Sequence, residues 1–232
     1  TPEWARHNHL PGPWVLETAV RHHQGGNVAE AERLYRSVLD QDPNQTDALN
    51  LLGFIVQQAG DLDQALGLFD RAMAAAPDLA TIPFNKGNAL RDSGHQDEAR
   101  DAYEAALTID PKYEDALLNL GVLLHEGGDT AAAMGRFNAL LALDPDNAQA
   151  HYNLGKCRQS QGRLDEAEDA LAKATTLDPG FPDAHFAQAN VLAALGKLNA
   201  AIRHINTATK LKPNWAEAIS SSGLILGRAG QF

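Results

Sequence analysis

A period of 34 residues runs through this chain of 232 residues and restricts its fold more than any other feature. Prolines, glycines and alanines each keep this period, and the three series stay in phase along the chain. A repeat of this length is a unit that cannot bury its apolar face alone and must stack on its neighbours. The sequence therefore predicts a row of small units. The series are Pro43, Pro77, Pro111, Pro145, Pro179 and Pro213; Gly26, Gly60, Gly94, Gly128, Gly162, Gly196 and Gly230; and Ala31, Ala65, Ala99, Ala133, Ala167 and Ala201.

Each unit has the pattern of two helices. In residues 47–77, apolar side chains recur at steps of three and four, which is the period of a helix. The glycine suits the left-handed cap that ends a first helix, and the proline cannot continue the second. Acidic residues fall in the first turns of the first helices, where the helix dipole favours negative charge: Asp47, Asp115, Asp183 and Glu217. The predicted fold class is all-α.

A further series of small residues predicts where the two helices of a unit touch. It consists of Gly53, Gly87, Gly121, Gly155 and Gly223, with Ala19 and Ala189 in its remaining places. Small residues here would let two helix backbones approach closely. Large side chains such as Phe69, Tyr103 and Phe137 would then fill the space around that contact.

These residues resemble the tetratricopeptide repeat (TPR) family. The best matches are "NLGVLL" with Ala133, Phe137 and Pro145, and "NLGKCR" with Ala167 and Pro179. The resemblance implies a TPR α-solenoid, a right-handed superhelix of antiparallel helix pairs whose first helices line a concave groove. Leu171 and Ile205 depart mildly from the pattern, since they replace the usual aromatic residue.

The resemblance covers nearly the whole chain, as six full repeats plus one first helix. Residues 1–11 are expected to form a lead-in segment. The repeats are expected at about 12–45, 46–79, 80–113, 114–147, 148–181 and 182–215, with a partial repeat at 216–232.

The two ends of the array differ. Arg21 occupies a slot that is held elsewhere by Ile55, Ala89, Leu123, Cys157, Val191 and Ile225, so we expect Arg21 to be part of a polar cap. At the other end, Leu226 lacks a second helix to cover it. Either the natural chain continues there or the lone helix closes the stack. Self-association through this uncapped end is a further possibility.

Composition argues against several classes of partner. The net charge is −11, and Lys and Arg form no cluster of the kind that nucleic acid or an anionic membrane surface attracts. Apolar runs such as "LLGFIV" at 51–56 are too short for membrane insertion. One cysteine permits no internal disulfide. The compartment stays open between cytoplasm and periplasm, with a slight preference for the cytoplasm.

No residue pattern indicates catalysis, a metal site or a cofactor. Cys157 lies between Lys156 and Arg158, which would suit a reactive thiolate. It also fills the apolar slot described above, and a free cysteine behaves as a small buried hydrophobe. The nine histidines lack the helical spacing of metal ligands. We therefore expect no enzyme activity.

The candidate site is one face of the first helices, in the predicted groove. Amides there could pair with a peptide backbone, and apolar side chains beside them could anchor a partner. Asparagines at Asn85, Asn119 and Asn153 resemble the ladder in the repeats of O-linked N-acetylglucosamine transferases, which holds extended polypeptide. The alternative is that they serve packing between neighbouring first helices. The candidates are Asn50, Phe54, Phe84, Asn85, Asn88, Leu118, Asn119, Tyr152, Asn153, Lys156, Phe186 and Asn190.

The sequence thus predicts a non-enzymatic scaffold that binds an extended or helical segment of a partner protein, with a mild preference for apolar side chains and some positive charge. The alternative is the substrate-recruiting N-terminal arm of a longer enzyme, such as a glycosyltransferase. A chaperone's carboxylate-terminal tail is not an expected ligand. The places of the basic clamp in chaperone-binding relatives hold Asp115, Leu118 and Asn119 here.

Overall fold

The computed structural model describes residues 12–230, which form thirteen helices and no strand. The helices follow one another in first-helix and second-helix pairs, with α13 as a final first helix. They are α1 (Gly12–Gln24), α2 (Val28–Gln41), α3 (Thr46–Gln58), α4 (Leu62–Ala75), α5 (Thr81–Asp92), α6 (Gln96–Ile109), α7 (Glu114–Glu126), α8 (Thr130–Leu143), α9 (Ala148–Ser160), α10 (Leu164–Leu177), α11 (Pro182–Ala194), α12 (Leu198–Leu211) and α13 (Ala216–Arg228). The all-α prediction is confirmed.

Each first helix ends at the glycine that the sequence marks. At the end of α3, Gly60 has φ +92°, a left-handed conformation that costs glycine little. The amide of Asp61 then donates to the carbonyl of Val56 at 3.1 Å, and the amide of Gly60 donates to Gln57 at 2.9 Å. These bonds satisfy two carbonyls that the helix leaves open and turn the chain into α4.

The chain divides into two compact units, and the boundary falls between Ala116 and Leu117, inside α7. In the first unit the fully buried side chains include Tyr35, Leu49 and Phe69. The second unit buries the equivalent kinds of residue from its own helices, among them Phe137, Leu171 and Ile205. Each unit therefore has a core made by the same positions of the repeat.

Inside a pair, the small residue of the first helix lies against the large residue of the second. A Cβ atom built on Gly53 would stand 2.9 Å from Cε1 of Phe69. A Cβ on Gly155 would stand 2.7 Å from Cγ of Leu171 and 3.3 Å from the carbonyl of Ala167. The first helix can approach its partner this closely because it carries no side chain at that place.

The slot around Cys157 is apolar and buried, as predicted. Arg21, which occupies the same slot in α1, is exposed and donates to Oγ1 of Thr18 at 3.1 Å. On α13, Ile219 is 52% exposed and Leu224 is 70% exposed. The expected lead-in, residues 1–11, lies outside the described residues. The other occupants of the slot are Ile55, Ala89, Leu123, Val191 and Ile225.

Candidate protein-binding surface

The candidate residues share one face of their helices, which we call the first-helix face. In the first unit, α3 carries Asn50 and α5 carries Asn85 at adjacent places. The Nδ2 group of Asn85 donates to Oδ1 of Asn50 at 3.0 Å, so the two amides join neighbouring first helices. Asn88 accepts from the hydroxyl of Tyr103 on α6 at 2.7 Å. These amides therefore have hydrogen-bond partners in the array and are also half-exposed to solvent.

The aromatic residues of the first unit also lie on this face. Phe54 is 40% exposed, and its ring centroid lies 5.9 Å from that of His23. Phe84 is half-buried, and its ring lies 4.9 Å from Tyr113 and 5.9 Å from Tyr103. Tyr113 immediately precedes α7, so an aromatic residue of α5 packs on the residue that leads into the next first helix.

The second unit repeats this arrangement twice. Tyr152 on α9 packs on Phe181, the residue before α11, with ring centroids 4.9 Å apart. Phe186 on α11 packs on Trp215, the residue before α13, with centroids 4.6 Å apart. All four side chains are half-buried, so each pair presents part of its ring surface to solvent. We call these two pairs, together with Phe84 and Tyr113, the aromatic pairs.

The amides of the second unit differ from one another. Asn153 is only 9% exposed, and its Nδ2 group donates to the carbonyl of Gln149, one turn earlier in α9. Asn190 is half-buried and makes no side-chain hydrogen bond within residues 12–230. Leu118 and Asn119 are half-buried on α7. The packing alternative thus describes the bond between Asn85 and Asn50, whereas Asn153 bonds within its own helix and Asn190 is the amide best placed to meet a partner.

Charged groups surround Tyr152. The ammonium of Lys156 lies 5.5 Å from the ring centroid, within the range of a cation–π contact. Burial, and then the negative charges of Asp183 and Glu217, raise the pKa of the Tyr152 hydroxyl to about 12. The hydroxyl therefore stays protonated and can donate a hydrogen bond at neutral pH.

Sequence reasoning missed half of each aromatic pair. Tyr113, Phe181 and Trp215 keep the 34-residue step among themselves, which is a signal that could have found them. Asn147 interrupts that series. In the structure Asn147 is the N-cap of α9, where its side chain accepts from the amide of Ala150 at 3.0 Å.

The structure gives no reactive character to Cys157. The side chain is fully buried, and this burial raises the pKa of its thiol to about 11, with Lys156 acting weakly in the opposite direction. A thiol with such a pKa is not an effective nucleophile near neutral pH. Within the described part of the chain, no group of three or more His, Cys, Asp or Glu side chains could hold a metal ion. The helices of that part are also too short or too polar for any of them to cross a membrane.

Family models match most of the chain. A model described as tetratricopeptide repeat matches residues 22–81, 124–175 and 158–221, and a model described as TPR repeat matches residues 87–128. The chain belongs to the tetratricopeptide repeat family, and its fold is the TPR α-solenoid. These models support the repeat itself, and the finer resemblance to O-linked N-acetylglucosamine transferases remains a prediction. Curated protein sequences give no match to the chain.

Solved structures show the same fold at low sequence identity. PilF of Pseudomonas aeruginosa is 17% identical with a TM-score of 0.79, over 92% of this chain and 97% of PilF. PilW, described as a widely conserved type IV pilus biogenesis factor, is 22% identical with a TM-score of 0.77, over 92% of this chain and 99% of PilW. YrrB, described as a TPR protein with an unusual peptide-binding site, is 22% identical with a TM-score of 0.65, over 82% of this chain and 97% of YrrB.

Proposed function

We propose that this protein is a non-enzymatic scaffold that binds an extended or helical segment of a partner protein on its first-helix face. The observation that carries the proposal is the set of aromatic pairs. They recur at the same place in the third, fifth and sixth repeats and keep part of their surface in solvent. Partly exposed aromatic residues are the side chains that most often dominate the energy of a protein interface.

The amides and charges of the same face support a polypeptide ligand. Asn190 has both donor and acceptor capacity unused within the described residues, and the Tyr152 hydroxyl remains a donor. Asp183 and Glu217 provide negative charge beside Tyr152. A segment with apolar side chains and a Lys or Arg residue would complement this surface. The peptide-binding site named for YrrB is a feature of that relative, and it supports the same use of this fold here.

The experiment is a selection from a peptide library, followed by binding measurements on variants. Phe186→Ala and the double variant Asn119→Ala with Tyr152→Ala should each weaken the selected peptides by about tenfold or more. Leu143→Ala and Leu211→Ala remove exposed apolar side chains from second helices, so they are matched controls and should leave binding unchanged. If every selected peptide binds the first-helix variants as well as the unaltered protein, the proposal is wrong.

A substrate-recruiting arm is the second candidate, and the partial exposure of the Asn85 and Asn119 amides is the observation that favours it. These two residues belong to the asparagine row that the resemblance to O-linked N-acetylglucosamine transferases implies, whereas the bond between Asn85 and Asn50 also fits the packing alternative. The reading frame of the gene separates the two candidates, because only the arm requires a catalytic domain on the same chain. Self-association through α13 stays a prediction, and the dependence of molecular mass on protein concentration tests it.

A further inference from the structure

A second kind of surface lies away from the first-helix face, between consecutive second helices. Where the fourth and fifth repeats meet, residues of α8 and α10 flank a groove whose floor is α9. Two cavities of about 330 and 490 Å³ open there, and both are lined by Pro145, His151 and Lys173. The smaller cavity is also lined by Leu141, Leu154 and Ala170. We call the smaller cavity the fifth-repeat furrow.

The corresponding place in the sixth repeat is filled by polar side chains. His185 on α11 and His204 on α12 face each other with their Nδ1 atoms 3.0 Å apart. Beside them, the hydroxyl of Thr175 donates to Oε1 of Gln188 at 2.9 Å, and both of these residues are buried. One repeat therefore shows which groups this position of the fold can hold.

The fifth and sixth repeats differ in the side chains around this histidine. Both repeats have a histidine on their first helix. At the fifth-repeat furrow an alanine replaces the second histidine, and two leucines replace the hydrogen-bonded threonine and glutamine. The equivalent residues, 34 positions apart, are His151 and His185, Ala170 and His204, Leu141 and Thr175, and Leu154 and Gln188. The fifth-repeat furrow therefore corresponds to the place of the histidine pair in the sixth repeat, without the ring that His204 supplies there.

The hydrogen bonds of His151 and His185 determine which ring nitrogen carries the proton. Nε2 of His151 lies 2.9 Å from the carbonyl of Pro145, and Nε2 of His185 lies 3.1 Å from the carbonyl of Pro179. A carbonyl only accepts, so both Nε2 atoms carry the proton and both Nδ1 atoms are acceptors in the neutral ring. His204 therefore donates its Nδ1–H to His185. His151 is only 8% exposed, and its Nδ1 has no hydrogen bond within residues 12–230.

We propose that the fifth-repeat furrow binds an imidazole ring from another molecule, in the place that His204 fills one repeat later. The N–H of the bound ring would donate to Nδ1 of His151, and Leu141 and Leu154 would contact its apolar parts. Arg158, Lys173 and Asp169 also line this cavity, and the excess of positive charge favours a neutral ring over a protonated one. The site does not depend on the first-helix face, so its success or failure leaves the proposed function unaffected.

The first experiment titrates isotope-labelled protein with neutral imidazole and follows the backbone amide signals by NMR at about pH 8, where most histidine side chains are neutral. Saturable shifts should centre on residues 151, 154 and 170. A capped Gly-His-Gly peptide tests whether the ring can come from a protein side chain. A capped Gly-Phe-Gly peptide lacks the N–H donor and should bind about tenfold more weakly. Equal binding of the two peptides, or no saturable shift in the furrow, would overturn the proposal.

Two variants make the experiment decisive. Ala170→His supplies the missing ring from the chain itself, so it should fill the furrow, raise Tm and weaken imidazole binding at least about tenfold. His204→Ala opens the equivalent place in the sixth repeat, so added imidazole should bind there and recover part of the lost stability. Undiminished imidazole binding by folded Ala170→His protein contradicts the proposal. If Ala170→His does not fold, the absence of imidazole rescue in His204→Ala contradicts it instead.

Discussion

Gly121 on α7 lies directly beneath the ring of Phe137 on α8. A Cβ atom built on Gly121 would stand 2.5 Å from Cε1 and 2.8 Å from Cζ of that ring. Phe137 has no exposed surface, so the ring cannot swing into solvent to make room. The contact is the closest that the repeat's glycines make within the described residues, and it shows why this position must remain small.

Gly121→Ala is therefore expected to destabilise the protein by about 1–3 kcal/mol, because the overpacking outweighs the gain in helix propensity. The measurement is the free energy of unfolding from a urea titration.

Gly223→Ala is the matched control for this substitution. Gly223 holds the same position of the repeat on α13, but nothing lies within 4 Å of its Cβ direction. Alanine there should stabilise the helix by about 0.5–1 kcal/mol. Equal effects of the two substitutions would mean that the glycine position is not set by the facing side chain.

The hydrogen bond between Asn85 and Asn50 leads to a second prediction. Either single substitution by alanine should cost about 0.5–1.5 kcal/mol, because it leaves a half-buried amide without its partner. The two substitutions should not be additive, and a double-mutant cycle should give a coupling of about 0.5 kcal/mol or more. Asn190→Ala removes an amide with no such bond and should change stability by less than about 0.5 kcal/mol. Strict additivity of the Asn50 and Asn85 effects would mean that the hydrogen bond between the two amides does not stabilise the protein.

These residues show what the sequence could and could not predict. The helix pairs follow from local signals, since a glycine such as Gly60 ends one helix and a proline such as Pro77 cannot continue the next. The burial of Cys157 followed from its place in a slot shared with aliphatic residues. Comparison of equivalent positions was sufficient for both predictions, because every repeat makes the same local contacts.

The aromatic pairs and the histidine pair were not predicted. The contact between Phe186 and Trp215 depends on how the loop after α12 returns to α11, which no local pattern specifies. The contact between His185 and His204 depends on side-chain direction as well as on helix register. In both cases the missing information concerns packing between elements, where a difference of one side chain decides which contact forms.

The pH dependence of stability gives a third prediction. Burial, followed by the nearby His185 and Arg203, lowers the pKa of His204 below its usual range, and Glu168 opposes this only partly. The unfolded chain binds the proton at about pH 6.5, before the folded protein does. Neutral His204 therefore contributes to the free energy of unfolding above that pH. This contribution is lost as the pH falls towards and through the lower pKa of the folded state.

His204→Ala should make the free energy of unfolding less dependent on pH between about 7 and 5. Urea unfolding at several pH values measures this slope. Burial also lowers the pKa of His125, so a smaller slope of the same sign should remain in the variant. The same slope in both proteins would show that His204 binds its proton equally well in the folded and unfolded chains.

The pair formed by Phe186 and Trp215 gives the last prediction. The ring centroid of Trp215 lies 4.6 Å from that of Phe186 and 4.6 Å from the ammonium of Lys212. Phe186→Ala removes the aromatic contact and should cost about 0.5–1.5 kcal/mol beyond the lost burial. Lys212→Met removes only the cation, and an exposed cation–π contact is worth about 0.5–1 kcal/mol.

Fluorescence separates these two effects in a protein whose other tryptophans, Trp4 and Trp14, are replaced by phenylalanine. Emission of Trp215 should shift to longer wavelength in Phe186→Ala, because the indole becomes more exposed to water, and should change little in Lys212→Met. A partner segment that binds the first-helix face would cover the same indole and shift its emission to shorter wavelength. Because Trp215 directly precedes α13, this shift would also show that binding reaches the last first helix of the second unit. An emission spectrum that is unchanged in Phe186→Ala would mean that the phenylalanine does not shield Trp215 from solvent.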